Sequence, residues 1–483
     1  MTRARRGAKV ATMAALRRTR IIITVGPSTD APDVLARIVD AGIDAVRLNM
    51  SHGTHEDHDK RIQAVRRLAK KARRHIPIIL DLSGPKIRVG ELPADGLTLE
   101  RGTQVRLVRG AGPLPVKAAG KGIAEIPVPV GEMLVQAKRG DRFLLKDGLL
   151  RLRTLKPGRE AVLCEVEEGG LLRSRQGIAL PGSRLSLPSI TPKDRDDIRF
   201  GLKIGTDFFA MSFVRSAADV RSAMRLMGGV PLIAKIERPE ALEELEAIVD
   251  ACAGVIVARG DLGVELPPER VPLLQKEILL EANRRGRIAI LATQMLASME
   301  ESPIPTRAEA TDVTNAVLDG ADGLLLTGET AGGKYPVAAT QVLVRIVDYV
   351  EASPEYQAGV RRMLDMSGRG PEEALASAAV DASRAMTLGA LVVLSRTGRT
   401  AGLISDHRPP VPIVALAPNE VEARRLALQW GVAPAVRTAR AAKDATAAAS
   451  LAREVLGLSK HAWFGVLHAG KDGRSRHLTL AWG

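Results

Sequence analysis

The chain has 483 residues, of which 45% are hydrophobic and 26% charged, a composition ordinary for a soluble protein and a length that exceeds a single core. Cys164 and Cys252 are the only cysteines, which excludes a disulfide framework or a cysteine zinc site and points to a reducing, cytoplasmic setting. A net charge of +15 allows nucleic acid or a polyanionic metabolite as partner, but aromatics are only 2% and no basic stretch interleaves with them, so no base-stacking platform is expected.

No apolar run reaches membrane-spanning length, and no apolar stretch of the kind a signal peptide needs follows the basic start. The densest charge lies in the N-terminal arm, with Arg3, Arg5, Arg6, Lys9, Arg17, Arg18 and Arg20 before the first acidic residue, Asp30. That arm reads as mostly solvated.

The β-branched run Ile21, Ile22, Ile23, Thr24, Val25 is a buried strand, closed by Gly26 and Pro27. A helix over 30–42 follows, with Asp30 as its cap, Pro32 in its first turn and Gly42 at its end. Residues 44–50 form the next strand and 55–74 an amphipathic helix, whose stripe is Ile62, Val65, Leu68, Ala69 and Ala72; a third strand covers 76–82. From about 90 to 188 the alternation stops. Short alternating runs at 103–108, 141–145, 149–155 and 161–166, separated by turn residues, predict a small all-β barrel or sandwich.

The rhythm then resumes. Strands are expected at 208–213, 231–236, 255–257, 288–292 and 323–326, and helices at 216–227, 239–251, 268–285, 307–318 and 336–351. Eight βα units result, which implies an α/β fold: a TIM barrel interrupted after its third strand by a small all-β domain. Beyond Pro354 lies a separate α/β domain with a mainly parallel sheet, its strands near 390–394, 411–416, 463–467 and 477–481. The division is thus a barrel over 1–88 and 189–353, a β-barrel lid over 89–188, and a C-terminal α/β domain of regulatory type over 354–483.

A TIM barrel carries its chemistry at the C-terminal ends of its strands. Those ends hold Arg47, Asn49, Ser51 and His52; Asp81, Leu82, Lys86 and Arg88; Lys235 and Glu237; Arg259, Gly260 and Asp261; Thr293; and Thr327, Gly328, Glu329 and Thr330. The period of two along a strand puts Lys235 beside Glu237, which favours a metal-binding carboxylate next to a phosphate-facing ammonium over a surface ion pair. Asp261, on a glycine-flanked turn after a buried strand, suits a hard cation such as magnesium, and Gly260 lets backbone N–H groups approach an anion. Arg47 suits phosphate through its planar guanidinium, the alternative being a buried pair with a carboxylate. His52 and His55 read as exposed loop histidines, and Thr293 taken alone as a β-branched strand residue.

Six stretches in this order resemble the pyruvate kinase family: RLNMSHGTH from Arg47, KIE from Lys235, ARGDLGVE from Ala258, ATQML from Ala292, PTRAE from Pro305 and GETA from Gly328. The order, the β insertion and the trailing α/β domain match as well. The resemblance implies the last step of glycolysis, phosphoryl transfer from phosphoenolpyruvate to ADP, giving pyruvate and ATP. It implies that Glu237 and Asp261 hold Mg2+ or Mn2+, and that Lys235 faces the transferring phosphoryl group and stabilises the enolate oxygen. It also implies that Arg47 binds the phosphate, and that Gly260, Asp261 and Thr293 hold the substrate carboxylate. Thr293 further sits on the proton relay, and Asn49, His52 and Arg88 meet the nucleotide phosphates beneath a closing lid. A homotetramer without nucleic-acid or membrane partners is implied too. Another phosphoenolpyruvate-handling barrel, such as an aldolase-type lyase, is disfavoured by the β insertion and by the stretch at Arg47.

Departures from the family pattern are local. The family's monovalent-cation site matches Asn49, Ser51 and Asp81 with the backbone carbonyl of Leu82, but members that need potassium carry Glu where this chain has Lys86. A lysine ammonium is itself a fixed cation, so potassium is expected to be dispensable. In the lid, Lys146 stands for the first Asp of Asp-Asp-Gly, with Asp147 retained, and Gln176 stands for Lys before Gly177. The turn Ser395, Arg396, Thr397, Gly398, Arg399, Thr400 either holds a sugar-phosphate effector, as in the family, or is a plain βα turn capped by Thr400. The stretch Ala469, Gly470, Lys471, Asp472, Gly473 is compatible with an effector loop.

Overall fold

In the computed structural model, the described residues are 17–112, 123–146, 148–183, 185, 187–356, 370–395, 397–469 and 476–483. Arg3, Arg5, Arg6, Lys9, Asp147, Arg396 and residues 470–473 therefore lie outside them. Eight short parallel strands close a barrel: β1 (Arg20–Thr24), β2 (Ala45–Asn49), β3 (Ile78–Asp81), β4 (Phe208–Met211), β5 (Leu232–Ile236), β6 (Gly254–Ala258), β7 (Ile288–Ala292) and β8 (Gly323–Leu326). Each pairs with the next, and β1 returns to β8 in the register Ile22 to Leu325. Alternate residues turn inward, so Ile22, Ile79, Phe208, Ile233, Ile256, Ile290 and Leu325 fill the interior. The intervening residues, among them Leu80, Phe209, Val257 and Leu291, pack outward against helices. Burial on both faces is why these strands read as continuous apolar runs.

Between β3 and β4 stands the inserted β unit. Among the described residues its ladder is an open six-stranded sheet beside a two-stranded ribbon, with one short helix, Gly131–Gln136, rather than a closed barrel ladder. Phe143, Leu152, Val105 and Cys164 lie in its own core. The chain returns through Pro192–Ile204, a helix that starts on a Thr191 capping box and completes the third βα unit. The trailing domain has a five-stranded sheet, parallel except for the antiparallel edge strand Arg476–Trp482.

Several local expectations give way. Asp30 does not cap the first helix; Pro32–Asp40 begins on Ala31, and Asp30 instead receives both Arg61 nitrogens at 2.6 and 2.7 Å. The 239–251 helix splits at Glu244 into Pro239–Glu243 and Leu245–Ala251. The glycine-flanked segment after β6 is a short helix, Arg259–Glu265, rather than a turn. Thr400 is no cap either, because Arg399–Asp406 starts after Gly398. Nor are Arg17, Arg18 and Arg20 solvated. Arg17 meets Asp44 at 2.7 Å, Arg20 is buried with its guanidinium on the Gln429 and Val432 carbonyls, and Arg18 lies over Trp430. Their positive charges have partners beneath the barrel that the sequence order does not display.

Candidate active site at the barrel mouth

The C-terminal ends of β2, β3 and β5 bring four charged side chains together, beside the uncharged end of β4. Arg47, on β2, donates from Nε to Asp81 Oδ2 at 2.7 Å, and its terminal nitrogen lies 2.6 Å from the same oxygen. A third contact, 3.1 Å to Thr24 Oγ1, ties Arg47 to β1. The buried carboxylate pair weighed against phosphate binding is thus formed, with Arg47 8% and Asp81 1% exposed. Lys235, on β5, lies 2.7 Å from Glu237 Oε1 and 3.4 Å from Asp81 Oδ2, and donates to Ser212 Oγ at 2.9 Å. Burial alone would lower the pKa of this ammonium, but Asp81 and Glu237 together hold it above the ordinary lysine value.

Glu237 is buried in turn. Its Oε2 accepts from the Phe213 N–H at 2.8 Å, whereas Oε1, although close to Lys235, has no aligned hydrogen bond. Burial pushes the Glu237 carboxyl up, Lys235 pulls it down, and Asp261 pushes it up again. A buried carboxylate whose Oε1 meets only the Lys235 ammonium, with the Asp261 carboxylate acting on it, fits a divalent cation that would keep waters and substrate oxygens as its other ligands. The fit rests on these two carboxylates; among the described residues no cluster of three or more metal-competent side chains occurs. Lys86 places its ammonium 3.3 Å from Asp261 Oδ1.

Across the mouth, Thr293 follows β7. It takes a φ of +67° and Gln294 one of +55°, which for a β-branched residue is a strained backbone. Arg259 clamps that corner, donating to the Thr293 carbonyl at 2.8 Å and the Gln294 carbonyl at 3.2 Å while Asp312 holds it at 2.6 Å. The Thr293 hydroxyl accepts the Gly260 N–H at 2.8 Å and donates to the Ala292 carbonyl. A Cβ on Gly260 would meet Thr293 Oγ1 only at 3.5 Å, an ordinary contact. Packing therefore does not demand glycine there.

The remaining predicted residues surround this core. Asn49 Oδ1 accepts the Ser51 N–H, and the Leu82 carbonyl accepts the Ser212 hydroxyl at 2.8 Å. His52 is held through its carbonyl by His58; partial burial, then Arg88, Arg47 and Lys86, lower its pKa, so it is neutral at pH 7. His55 is not simply an exposed loop residue, since it meets Asp197 at 2.8 Å and stacks on Phe200. Arg88 reaches the inserted unit through the Arg175 carbonyl, and the Lys146 N–H meets the Gly177 carbonyl, so the two altered lid turns adjoin. Between that unit and the mouth runs an open cleft of about 790 Å³ lined by Lys86, Phe213, Glu237, Asp261 and Glu265.

The 395–400 turn lies elsewhere. Ser395 Oγ accepts the Gly398 N–H at 2.8 Å, and Arg399 pairs with Glu372 at 3.2 Å. Thr397, Gly398 and Arg399 line a second cleft, between the barrel base and the trailing domain.

Two strand ends escaped the sequence reading: Thr24 closes β1, and Ser212 with Phe213 follows β4. Neither carries a charge, the signal that marked the other strand ends except that of Thr293. The left-handed Phe213, with φ of +56°, packs beside Gly84, where a Cβ would meet Phe213 Cδ2 at 2.9 Å and Ser212 Cβ at 3.0 Å.

Residues 16–340 match the family model described as pyruvate kinase, barrel domain, and 373–472 match pyruvate kinase, alpha/beta domain. A curated pyruvate kinase from Agrobacterium vitis is 42% identical over 417 residues, covering 86% of this chain and 87% of its own length. Another, from Staphylococcus aureus strain MRSA252, is 36% identical over 440 residues, covering 89% of this chain and 73% of its own. A crystal structure of a pyruvate kinase from Cryptosporidium parvum superposes with a TM-score of 0.87 at 32% identity, covering 97% of each chain.

Proposed function

The chain belongs to the pyruvate kinase family of phosphotransferases, and we propose that the constellation at its barrel mouth carries the family's phosphoryl transfer from phosphoenolpyruvate to ADP. The observation that supports this most is the buried group Lys235, Glu237 and Asp81, with Asp261 facing it from β6. In such a transfer the protein positions groups and neutralises charge more than it makes bonds.

Glu237 and Asp261 hold Mg2+ or Mn2+, and the bound ion supplies neutralising charge to the substrate carboxylate and the moving phosphoryl group. Lys235, kept charged by its neighbours, faces that phosphoryl and stabilises the enolate oxygen as charge develops. Arg47 binds the phosphate while Asp81 fixes its plane. The N–H groups of Gly260 and Asp261, with the Thr293 hydroxyl, receive the substrate carboxylate. The Gly260 N–H now held by Thr293 is then released to it. Thr293 also serves the proton relay, and Asn49, His52 and Arg88 meet the nucleotide phosphates under the 89–188 lid.

The monovalent-cation group Asn49, Ser51, Asp81 and the Leu82 carbonyl needs no potassium. Support comes from Asp81, already matched by Arg47 and Lys235, and from the fixed charge Lys86 adds at Asp261. Domain limits at 88, 189 and 353, a cytoplasmic place in glycolysis and a homotetramer complete the reading. The exposed Leu480 and Trp482 on the edge strand support subunit pairing. An effector phosphate at Ser395, Thr397, Gly398, Arg399 and Thr400 is supported by the cleft that Thr397, Gly398 and Arg399 border.

The test is pyruvate formation from phosphoenolpyruvate and ADP with magnesium, in potassium and in tetramethylammonium salts, for the parent and Lys235→Met. The expected result is turnover within about twofold in the two salts and a loss of about 10²–10³-fold in the variant, the scale of removing one preorganised charge contact. Turnover only with potassium removes the Lys86 reading; undiminished turnover in Lys235→Met removes the assignment of Lys235.

A further inference from the structure

Three partners share the Lys235 ammonium, and they are not equivalent. Asp81 is already engaged by Arg47 at 2.6 Å, and Glu237 is one of the two carboxylates assigned to the divalent cation. The third partner, Ser212 Oγ at 2.9 Å, is neutral. Its own proton goes to the Leu82 carbonyl at 2.8 Å, so its lone pairs turn toward Lys235, and at 3% exposure no solvent competes for them. The next residue acts on the other member of the pair, because the Phe213 N–H holds Glu237 Oε2 at 2.8 Å. One dipeptide at the end of β4 therefore grips the ammonium by a side chain and the carboxylate by the backbone. The backbone grip requires the left-handed φ of +56° at Phe213, packed against Gly84.

We propose that Ser212 is a positioning residue for the phosphoryl transfer. Its hydroxyl keeps the Lys235 ammonium at the strand end without cancelling its charge, and keeps it there when Glu237 turns to the metal. A carboxylate in that place would neutralise the group that has to stabilise the enolate; an apolar side chain would leave the ammonium to its two carboxylate partners, with no neutral acceptor to fix it at the strand end. The inference rests on the assignment of Lys235 to the phosphoryl group.

The experiment compares steady-state kinetics of the parent, Ser212→Ala, Ser212→Cys and Lys235→Met across a magnesium titration. Ser212→Cys keeps the volume but offers a poor acceptor. Both Ser212 variants should lose about tenfold in kcat, the scale of one hydrogen bond to a charged group. Their KM for phosphoenolpyruvate and their magnesium half-saturation should stay within about twofold of the parent, because the Phe213 N–H still orients Glu237. The proposal is overturned by kcat within about twofold of the parent in both Ser212 variants, or by a kcat loss matched by an equal loss of magnesium affinity, which would mean the hydroxyl merely supports the strand end. Undiminished turnover in Lys235→Met overturns the underlying assignment and this inference with it; loss there beside parental turnover in the Ser212 variants overturns the inference alone.

Discussion

At the barrel mouth, charge is placed one residue at a time, and Lys86 is the most informative single choice. Its ammonium lies 3.3 Å from Asp261, in a cleft also lined by Glu237 and Glu265. Mutual repulsion of those carboxylates is expensive in a partly buried site, so a fixed cation there takes over part of what a mobile one would do. Lys86→Glu reverses that contribution. The expected outcome is an enzyme that turns over in potassium but loses at least about tenfold in tetramethylammonium, read by the pyruvate assay in the two salts; an interaction of roughly 1.4 kcal/mol suffices for such a change. The charged residues of this site were legible in the chain because period-two spacing and strand-end position do not depend on tertiary detail. What Arg47 does in the folded protein was less legible. Its pairing with Asp81 is a contact 34 residues apart in sequence, and both a phosphate and a carboxylate suit a guanidinium equally well. Ser212 and Phe213 were invisible for a different reason: a serine and a phenylalanine after a buried strand carry no charge, and the strained φ that makes Phe213 useful appears only in the backbone.

Among elements, the strands were easier to read than their caps and joints. Burial on both faces writes an apolar run, and most of the barrel strands carry one; a cap such as Asp30 is a local preference that a tertiary partner, here Arg61, can claim. Asp44 illustrates how far such claims reach. It lies just before β2, receives the Ile21 N–H at 2.9 Å, and sits among Arg17, Arg20 and Arg74, so it fastens the entry to β1 and the entry to β2 at once. Burial alone would raise its pKa; the three arginines and the Ile21 N–H outweigh that and hold it below the ordinary aspartate value. A depressed folded-state pKa contributes stability that is fully present above the unfolded value, near 3.9, and is lost as pH falls through the folded one. Asp44→Asn should therefore cost about 3–5 kcal/mol, the scale of removing one member of a buried ion cluster. Urea-unfolding midpoints should differ from the parent equally at pH 7 and pH 5 and begin to converge only below about pH 4, where the unfolded chain's aspartate becomes protonated, meeting once pH falls through the lower folded-state pKa.

For the whole molecule, the barrel base and the trailing domain are locked by a contact that neither segment's pattern announces. Arg408 enters the base beside β8, lying 2.7 Å from Asp322 with both side chains 4% exposed. It donates to the Gly320 carbonyl at 2.9 Å and stacks 4.5 Å from the Trp430 ring centre, while Trp430 donates to the Tyr356 hydroxyl at 3.1 Å. Asp322 Oδ2 in turn accepts the Ala289 N–H at 2.8 Å, so the pair is anchored in the β7–β8 ladder of the catalytic barrel. This geometry ties the trailing domain to the base of β7 and β8. Removing Arg408 alone strands a buried carboxylate. Arg408→Met is therefore expected to destabilise the protein by about 3–5 kcal/mol, whereas adding Asp322→Asn, which keeps an acceptor for Ala289 and discards the unpaired charge, should recover more than about half of that loss. Urea unfolding followed by the fluorescence of buried Trp430 measures both. Equal midpoints for the single and double variants would mean that the stacking of Arg408 on Trp430, rather than its charge on Asp322, holds the two domains together.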